Sequence, residues 1–335
     1  MLCAEYIWID AFNTLRSKTR VCPDGIIDTW NYDGSSTGQA LGCESEIILK
    51  PRELFNDPFR PGNHKLVLCS TQLPDGSPHP TNFRDSAAEI FNICRASKPW
   101  FGLEQEYFIM DPKTDKPLGY KEEDTQGRFY CSLGGNNAFG RHVAEEHLDM
   151  CLRAGIKVCG INSEVAPGQW EFQVLGEGLE AADHLWMARY ILERVSEKHN
   201  VWINYHPKPL GEWNGSGCHI NFSTLGMRTQ GGISHIYEAI GKLKDTHKDH
   251  MNAYGSNNDL RMTGKNETSS FEHFSYGTGD RTASIRIGKD TIRKGCGYFE
   301  DRRPGSNIDP YRATSKIAET CLITEPSQDW EVRGK

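Results

Sequence analysis

Five predicted strands between residues 101 and 302 share one pattern, in which polar side chains alternate with apolar or mixed ones. Neighbouring side chains of a strand point to opposite faces of the sheet, so each strand has one polar face. The residues that share these polar faces are Glu104 and Glu106; Gln169, Glu171 and Gln173; His219, Asn221 and Ser223; Thr282, Ser284 and Arg286; and Tyr298, Glu300 and Arg302.

The residue types on these faces favour a functional site. Solvated faces of antiparallel strands also alternate, but they carry mixed Lys, Glu, Thr and Ser. These faces hold Glu, Gln, His, Asn and Arg with almost no Lys, and Trp, Phe and Tyr flank them. Taken as a set, the five faces therefore favour a functional site over solvated strand surfaces, and the chemistry below supposes that they converge.

Converging carboxylates predict bound cations. Two glutamates about 6 Å apart repel by roughly 3 kcal/mol at an effective dielectric near 20, so several such pairs cannot all stay ionised alone. A set of carboxylates with one imidazole suits Mg²⁺ or Mn²⁺ better than Zn²⁺. Mg²⁺ held in this way usually pairs with substrate phosphates. Arg286 and Arg302, with Arg281 nearby, are suited to phosphate and carboxylate. The pattern indicates ATP-dependent chemistry on a carboxylate.

Composition excludes several classes of protein. The 335 residues carry a net charge of −7, which argues against a nucleic-acid-binding protein. No apolar run is long enough to span a membrane. The eleven cysteines are odd in number and form no CxxC pair, which fits neither a disulfide framework nor a zinc ribbon. With no signal peptide visible, we expect a cytoplasmic protein.

The elements divide the chain into two predicted domains, over residues 1–76 and 77–335. The first part is strand-rich, and a proline-rich stretch over 72–81 marks the boundary. Strands are predicted over 5–12, 15–22, 26–32, 46–50, 65–71, 101–110, 169–175, 201–206, 218–224, 282–287 and 297–302. Helices are predicted over 84–97, 141–154, 179–200 and 232–254.

Six long motifs, in order and at matching spacing, resemble glutamine synthetase of the eukaryotic type (type II). They are WNYDGSST (30–37), WFGLEQEY (100–107), NSEVAPGQWE (162–171), WNGSGCHINFST (213–224), SIRI (284–287) and GYFEDRRP (297–304). The resemblance covers almost the whole chain. It implies an α+β fold, in which a small N-terminal β-grasp domain precedes a catalytic domain with a curved antiparallel sheet flanked by helices.

The resemblance also implies a reaction, in which ATP drives the joining of ammonium to the γ-carboxylate of L-glutamate through γ-glutamyl phosphate. It implies two or three Mg²⁺ or Mn²⁺ ions per site. The residues that look like metal ligands are Glu106, Glu164 and Glu171 for one ion, and Glu104, His219 and Glu300 for another. Those at nucleotide-contact positions are Asn221, Phe222, Ser223, Tyr298, Phe299, Arg281 and Arg286. Those at glutamate-holding positions are Asn214, Gly215, Arg261 and Arg302.

Three residues match catalytic positions of the family. Asp33 matches the residue that takes a proton from ammonium, Glu267 matches the glutamate of the flap that closes the site, and Arg281 matches a phosphate-holding arginine. In this family the β-grasp domain reaches the neighbouring subunit. The resemblance therefore implies that Asp33 acts in trans in a ring homo-oligomer, as a decamer of two pentamers.

Three positions depart from the family pattern. Asn266 replaces the usual flap histidine, Asp280 replaces the asparagine before the phosphate arginine, and Gly288 replaces a proline after SIRI. These changes leave two alternatives to an active glutamine synthetase. One is a catalytically silent scaffold member, and the other is a γ-glutamyl ligase for another amine.

Overall fold

Two β-sheets and eight α-helices make up the computed structural model, which describes residues 1–325. The strands are β1 (Leu2–Ile9), β2 (Leu15–Cys22), β3 (Trp30–Asp33), β4 (Glu46–Asn56), β5 (Lys65–Gln72), β6 (Trp100–Asp111), β7 (Lys116–Pro117), β8 (Val158–Ser163), β9 (Gln169–Glu177), β10 (Trp202–Asn204), β11 (Cys218–Ser223), β12 (Tyr276–Thr278), β13 (Ile285–Ile287) and β14 (Phe299–Asp301). The helices are α1 (Phe83–Cys94), α2 (Arg141–Ala154), α3 (Leu179–His199), α4 (Leu225–Arg228), α5 (Ile233–Asp245), α6 (His247–Ala253), α7 (Lys289–Lys294) and α8 (Pro310–Leu322).

The N-terminal sheet has the order β2-β1-β5-β4-β3, with β1 and β5 parallel. Because side chains alternate along a strand, its two faces bury different residues. Those of one face, which include Tyr6, Trp8 and Val67, form a small core of their own. Those of the other face, which include Ile7 and Leu68, belong to the main core of the molecule. The sheet is therefore packed against the rest of the chain, and the predicted boundary between residues 76 and 77 stays a prediction.

The larger sheet runs β12-β13-β14-β11-β6-β9-β8, and β7 and β10 also pair with β6. Its pairs are antiparallel apart from β12 with β13. The apolar face packs against the long, largely buried helix α3 and its neighbour α8, and Phe172, Ile220 and Ile285 are completely buried there. This packing leaves the opposite, polar face of the sheet free to form a site. The predicted α+β fold is confirmed.

Several predicted elements are confirmed and others need correction. β2 and α2 occupy their predicted bounds. The helix predicted over 232–254 is two helices, because Thr246 leaves the helical conformation with φ −106° and ψ 18°. The strands predicted over 26–32 and 282–287 begin only at Trp30 and Ile285. The sequence reasoning missed β8 and α8. Asp309 caps α8 by accepting a hydrogen bond from the backbone N–H of Tyr311 at 2.8 Å.

Within residues 1–325, no helix is long and apolar enough to cross a membrane.

Candidate functional site

The strand register of the large sheet brings the predicted metal ligands together. Glu104 of β6 lies opposite His219 of β11, and Glu106 lies opposite Glu171 of β9. On the far side of β11, Asn221 lies opposite Glu300 of β14. Directly opposed residues of a sheet have Cβ atoms about 5 Å apart, so the pairs reach one another across the strands.

Glu104, His219 and Glu300 form one group, which we call the arginine-paired triad. Their ligand atoms lie within 4.8 Å of one another. The His219 Nδ1 atom is 3.6 Å from a Glu104 oxygen and 3.5 Å from a Glu300 oxygen. Arg286 and Arg302 each place an Nη1 atom 2.7 Å from a Glu300 oxygen. The negative charge of this triad is therefore partly neutralised within the protein.

Glu106, Glu164 and Glu171 form a second group, which we call the unpaired triad because none of the three makes an ion pair among the described residues. Their oxygens also lie within 4.8 Å of one another. They accept hydrogen bonds only from neutral donors, such as the Gly217 N–H to Glu106 at 2.8 Å and the Asn162 side chain to Glu164 at 2.9 Å.

The unpaired triad holds its protons more tightly than ordinary carboxylates do. Burial, followed by repulsion from neighbouring glutamates, raises the pKa of Glu106, Glu164 and Glu171 to about 8. Burial, followed by the charge of Arg302, lowers the pKa of His219 well below its usual range, so its imidazole is neutral at pH 7. Three crowded carboxylates and a neutral imidazole are suitable ligands for hard divalent cations. Both triads thus fit the predicted Mg²⁺ or Mn²⁺ ions.

A cavity of about 260 Å³ joins the two triads to other predicted site residues. Those that line it besides the triads are Asn214, Gly215, Arg261, Glu267, Arg281, Arg286 and Arg302. Arg261 is buried, and its Nη2 atom donates to the carbonyl oxygens of residues 302, 303 and 304 at 2.7 to 3.0 Å. Arg261 therefore also holds the segment that follows β14 in place.

Gly215 is needed where two segments approach closely. A Cβ atom at this position would lie 2.4 Å from both the Arg261 Cγ atom and the Pro207 carbonyl oxygen. No side chain fits there. Because residue 215 is glycine, its backbone can line the cavity and pass directly beside Arg261.

The flap residues Asn266 and Glu267 both have positive φ, at 52° and 59°. This left-handed conformation is costly for residues other than glycine, and it persists only where the surroundings hold it. The Asn266 side chain donates to the Glu212 carbonyl oxygen at 3.2 Å. The Arg302 guanidinium donates to the Glu267 carbonyl oxygen at 3.4 Å. Asn266 thus fastens the flap to a neighbouring loop, a role that the sequence did not reveal.

Asp280 lies outside the cavity lining. Its carboxylate accepts hydrogen bonds from the backbone N–H of Thr282 at 2.8 Å and from the Thr282 hydroxyl at 2.7 Å. These bonds, led by the one from the hydroxyl, lower the pKa of Asp280. The residue therefore shapes the turn that carries Arg281 into the cavity.

A second cavity, of about 520 Å³, adjoins the arginine-paired triad at Asn221. Asn221 donates to a Glu104 oxygen at 2.7 Å, and Ser223 and Tyr298 line the same cavity. The side chains of Phe222 and Phe299 are fully buried in the core. Of the predicted nucleotide contacts, those two residues could therefore offer a ligand only their backbone.

Sequence reasoning missed Trp100 and Arg228 at this second cavity. Trp100 lines it and remains 51% exposed, although it is a large aromatic residue. The Arg228 guanidinium lies 3.9 Å from the centre of the Trp100 ring and donates to the Ser223 hydroxyl at 2.9 Å. Trp100 is the first residue of the WFGLEQEY motif, which was the available signal, but its exposure is decided by the fold.

Asp33 is the one predicted catalytic residue that the chain does not bring to the site. It lies on edge strand β3 of the N-terminal sheet, fully exposed and outside the cavity lining. Its carboxylate accepts hydrogen bonds from the Ser35 and Ser36 hydroxyls at 2.6 and 2.8 Å. These bonds, led by the one from Ser35, lower its pKa. Asp33 is thus an exposed anion at the edge of the N-terminal sheet.

Comparison with known proteins gives consistent matches. Residues 93–251 match the family model described as the glutamine synthetase catalytic domain. A cytosolic isozyme of glutamine synthetase from Daucus carota is 50% identical over 332 residues, which cover 96% of this chain and 94% of that protein. The cytosolic isozyme 1-3 of Arabidopsis thaliana is 49% identical and is covered to 95%. A chloroplastic glutamine synthetase of Brassica napus is 50% identical over 98% of this chain and 80% of its own length.

Proposed function

The chain belongs to the glutamine synthetase family, and we propose that its acidic cavity carries out the reaction of that family. ATP and L-glutamate bind in the two adjoining cavities, a phosphoryl group passes to the γ-carboxylate, and ammonia then displaces phosphate. The products are L-glutamine, ADP and phosphate. The proposal rests on one observation, namely that both acidic triads and several arginines line the same cavity.

In the first step, a γ-carboxylate oxygen of glutamate attacks the terminal phosphorus of ATP, and ADP leaves. Arg281 and Arg286 line the acidic cavity, and their guanidinium groups would neutralise the transferring phosphoryl group. Neutralisation raises the rate because charge spreads over the phosphoryl oxygens in the transition state. Arg302, already bonded to Glu300, and the backbone at Gly215 orient the amino acid.

Divalent cations held by the two triads would supply charge neutralisation of the phosphates. The unpaired triad offers three carboxylates, and the arginine-paired triad offers two carboxylates and the neutral His219. Asn221 donates a hydrogen bond to Glu104 and so helps to orient this carboxylate within the arginine-paired triad. Either Mg²⁺ or Mn²⁺ suits these ligands, because both ions bind oxygen.

In the second step, ammonium must lose a proton before its nitrogen can attack the acyl carbon. We propose that Asp33 of one subunit binds ammonium at the cavity of its neighbour, and that Glu267 closes the flap over the acyl phosphate. Closure matters because bulk water would hydrolyse that intermediate. The exposed position of Asp33 supports this arrangement, and a ring of subunits, such as a decamer of two pentamers, would supply the neighbour.

A test of the reaction measures γ-glutamyl hydroxamate from ATP, glutamate, Mg²⁺ and hydroxylamine, and glutamine from ammonium. Formation of both products is expected. No product with any divalent metal would contradict the proposal and favour a scaffold protein. Product with a bulkier amine but none with ammonium would favour a γ-glutamyl ligase of different specificity.

The shared site has its own test. Subunits that carry Asp33→Ala are mixed with subunits that carry Glu300→Ala, each inactive alone. Mixed rings should regain part of the activity, because some interfaces then pair an intact Asp33 with an intact Glu300. Absence of rescue in assemblies shown to be mixed would overturn the claim that Asp33 acts in trans.

A cytoplasmic location is also proposed. It rests on the printed names of two plant relatives as cytosolic isozymes, while other plant relatives are named chloroplastic. Fractionation of the source cells, with the native protein detected by antibody, tests it.

A further inference from the structure

Helix α3 buries a cation that has no ion-pair partner within residues 1–325. Arg189 is only 3% exposed, and its guanidinium donates hydrogen bonds to neutral oxygens alone in this part of the chain. The acceptors are the Gln105 side-chain oxygen, at 2.6 and 2.9 Å, and the Ser306 and Ile308 carbonyl oxygens, at 2.9 and 2.8 Å. Glu193 and Asp309 act on Arg189 only through space. Burial of a charge without a direct partner is costly, so this arginine calls for a physical reason.

Gln105, the side chain to which Arg189 is bonded, stands on β6 between the metal-ligand glutamates Glu104 and Glu106. It points to the opposite face of the sheet, because neighbouring residues of a strand alternate, and it is completely buried. Its amide nitrogen donates to the Glu106 carbonyl oxygen at 2.7 Å. The Glu106 N–H donates to the Gly217 carbonyl oxygen at 3.0 Å. Both polar groups of the Glu106 backbone are therefore held, one of them by Gln105.

Ser306 extends these contacts to other segments that carry metal ligands. Its carbonyl oxygen accepts hydrogen bonds from the Arg189 guanidinium and, at 2.9 Å, from the same side-chain amide on β6. Its backbone N–H donates to the Ser216 carbonyl oxygen at 3.1 Å. Ser216 precedes β11, which carries His219, and Ser306 follows β14, which carries Glu300. The hydrogen bonds that begin at Arg189 therefore connect three segments that supply ligands to the two triads.

The Arg189 guanidinium is itself held in place. It lies over the rings of Trp186 and Tyr205, at 4.9 and 5.4 Å from their centres, and aromatic faces attract a cation. Its planar fork donates in several fixed directions at once, which the single ammonium group of a lysine cannot do. A group with a fixed position and fixed bond directions can define where the surrounding oxygens lie.

We propose that Arg189 is a positioning residue of the acidic site. It acts through Gln105, which fixes the β6 backbone at the two glutamates beside it. Because Glu104 and Glu106 belong to different triads, this one contact sets where the two metal sites lie relative to each other. Groups that orient metal ligands tune metal affinity, and their loss typically costs about 10–100-fold. The inference rests on the proposed function, because it concerns how the cations of that reaction are held.

The test measures Mn²⁺ binding to the full-length protein, with free Mn²⁺ followed by electron paramagnetic resonance well below the melting temperature. Arg189→Met should raise the Kd at least about tenfold. Arg189→Lys keeps the charge but not the fork, and should give an intermediate Kd. A purely structural role would reduce the number of folded molecules and leave the Kd of each site unchanged. Wild-type Kd values in both variants would overturn the proposal.

Gln105→Glu tests whether Arg189 acts through Gln105. The new carboxylate still accepts hydrogen bonds from Arg189, but it cannot donate to the Glu106 and Ser306 carbonyl oxygens. Mn²⁺ should bind at least about tenfold more weakly, even though the added negative charge by itself attracts cations. An unchanged or lower Kd would overturn the route through Gln105. This variant and Arg189→Lys decide the question if Arg189→Met does not fold.

Arg84→Met is the matched control. Arg84 is another largely buried arginine bonded to α3, through Asp183 at 2.9 and 2.7 Å, and it lies outside the acidic cavity. This variant should lower the melting temperature and leave the Kd for Mn²⁺ unchanged. An equal loss of affinity in the control would overturn the proposal, because the effect would then belong to the fold as a whole. Absence of Mn²⁺ binding in the wild type is a separate outcome, which would overturn the metal sites of the proposed function and this inference with them.

Discussion

The two triads line one cavity, but the charge of their carboxylates is balanced in different ways. The arginine-paired triad has Arg286 and Arg302 within 2.7 Å of Glu300. The unpaired triad has only neutral donors, and its three carboxyls have pKa values raised to about 8. Identical side chains thus have different electrostatic surroundings, set by their neighbours. Ionisation of the unpaired triad would require a bound cation, whereas Glu300 of the arginine-paired triad already has cationic partners within the protein.

The largest effect is expected from Glu171→Gln, which removes one ligand of the unpaired triad. Glutamine-forming activity should fall at least about 100-fold, because lost electrostatic stabilisation of the transition state has consequences of this size. The rise in melting temperature produced by Mg²⁺ with ATP should shrink sharply, while the metal-free fold stays intact. Glu145→Gln, at an exposed position of α2, is the control. A full metal-dependent rise in the variant would show that Glu171 is not a ligand.

Removing one of its two arginines should weaken the pairing of the arginine-paired triad. The Arg302 and Glu300 side chains are only 7% and 6% exposed. Arg302→Met should therefore lower the free energy of unfolding of the metal-free protein by about 1.5–3 kcal/mol, because Glu300 loses one charge-assisted hydrogen bond while Arg286 still pairs with it. Chemical denaturation without metal measures this. Saturating Mg²⁺ should recover more stability in Arg302→Met than in the wild type; an equal gain would contradict the comparison.

The metal-free protein should lose stability as the pH rises. In the unfolded chain, the three glutamates titrate near 4.5, whereas in the fold they titrate near 8. Between these values the unfolded chain releases protons that the folded chain keeps, so the free energy of unfolding falls from about pH 4.5 to about pH 8. Melting temperatures in a chelator should decline across this range, and saturating Mg²⁺ should flatten the decline. Parallel curves with and without metal would refute the dependence on a cation.

The smallest effects are expected at the flap. Asn266 cannot gain a proton as a histidine can, so we expect incomplete closure and some ATP hydrolysis without glutamine formation. Under limiting ammonium, phosphate released should exceed glutamine formed, and Asn266→His should bring the ratio nearer to one. Asp280→Asn should change the ratio less, because asparagine can make the same turn to Thr282. A one-to-one ratio in the unaltered protein would show that Asn266 does not weaken closure.

Much of the site could be anticipated from residues two apart along strands. The alternation in β6, β9 and β11 placed Glu104 with Glu106, Gln169 with Glu171, and His219 with Asn221, because the period of a strand depends on covalent geometry alone. The fold class came from the resemblance of six motifs to a known family. The sequence reasoning did not predict the helix break at Thr246 or strand β8. Local residue preferences are weak where tertiary packing decides the ends of helices and strands.

By itself, the sequence determined which side chains share a face, the surplus of carboxylates and the family motifs, since these depend on spacing and residue type. Only the tertiary structure decided how the faces meet. The register of β6 with β9 and β11 separated four of the ligands into two pairs, which Glu300 of β14 and Glu164 after β8 complete as triads. Arg286 of β13 and Arg302 after β14 pair with only one of the two triads. The physical reason is that charge state depends on burial and on neighbours distant in the chain, which no local pattern encodes.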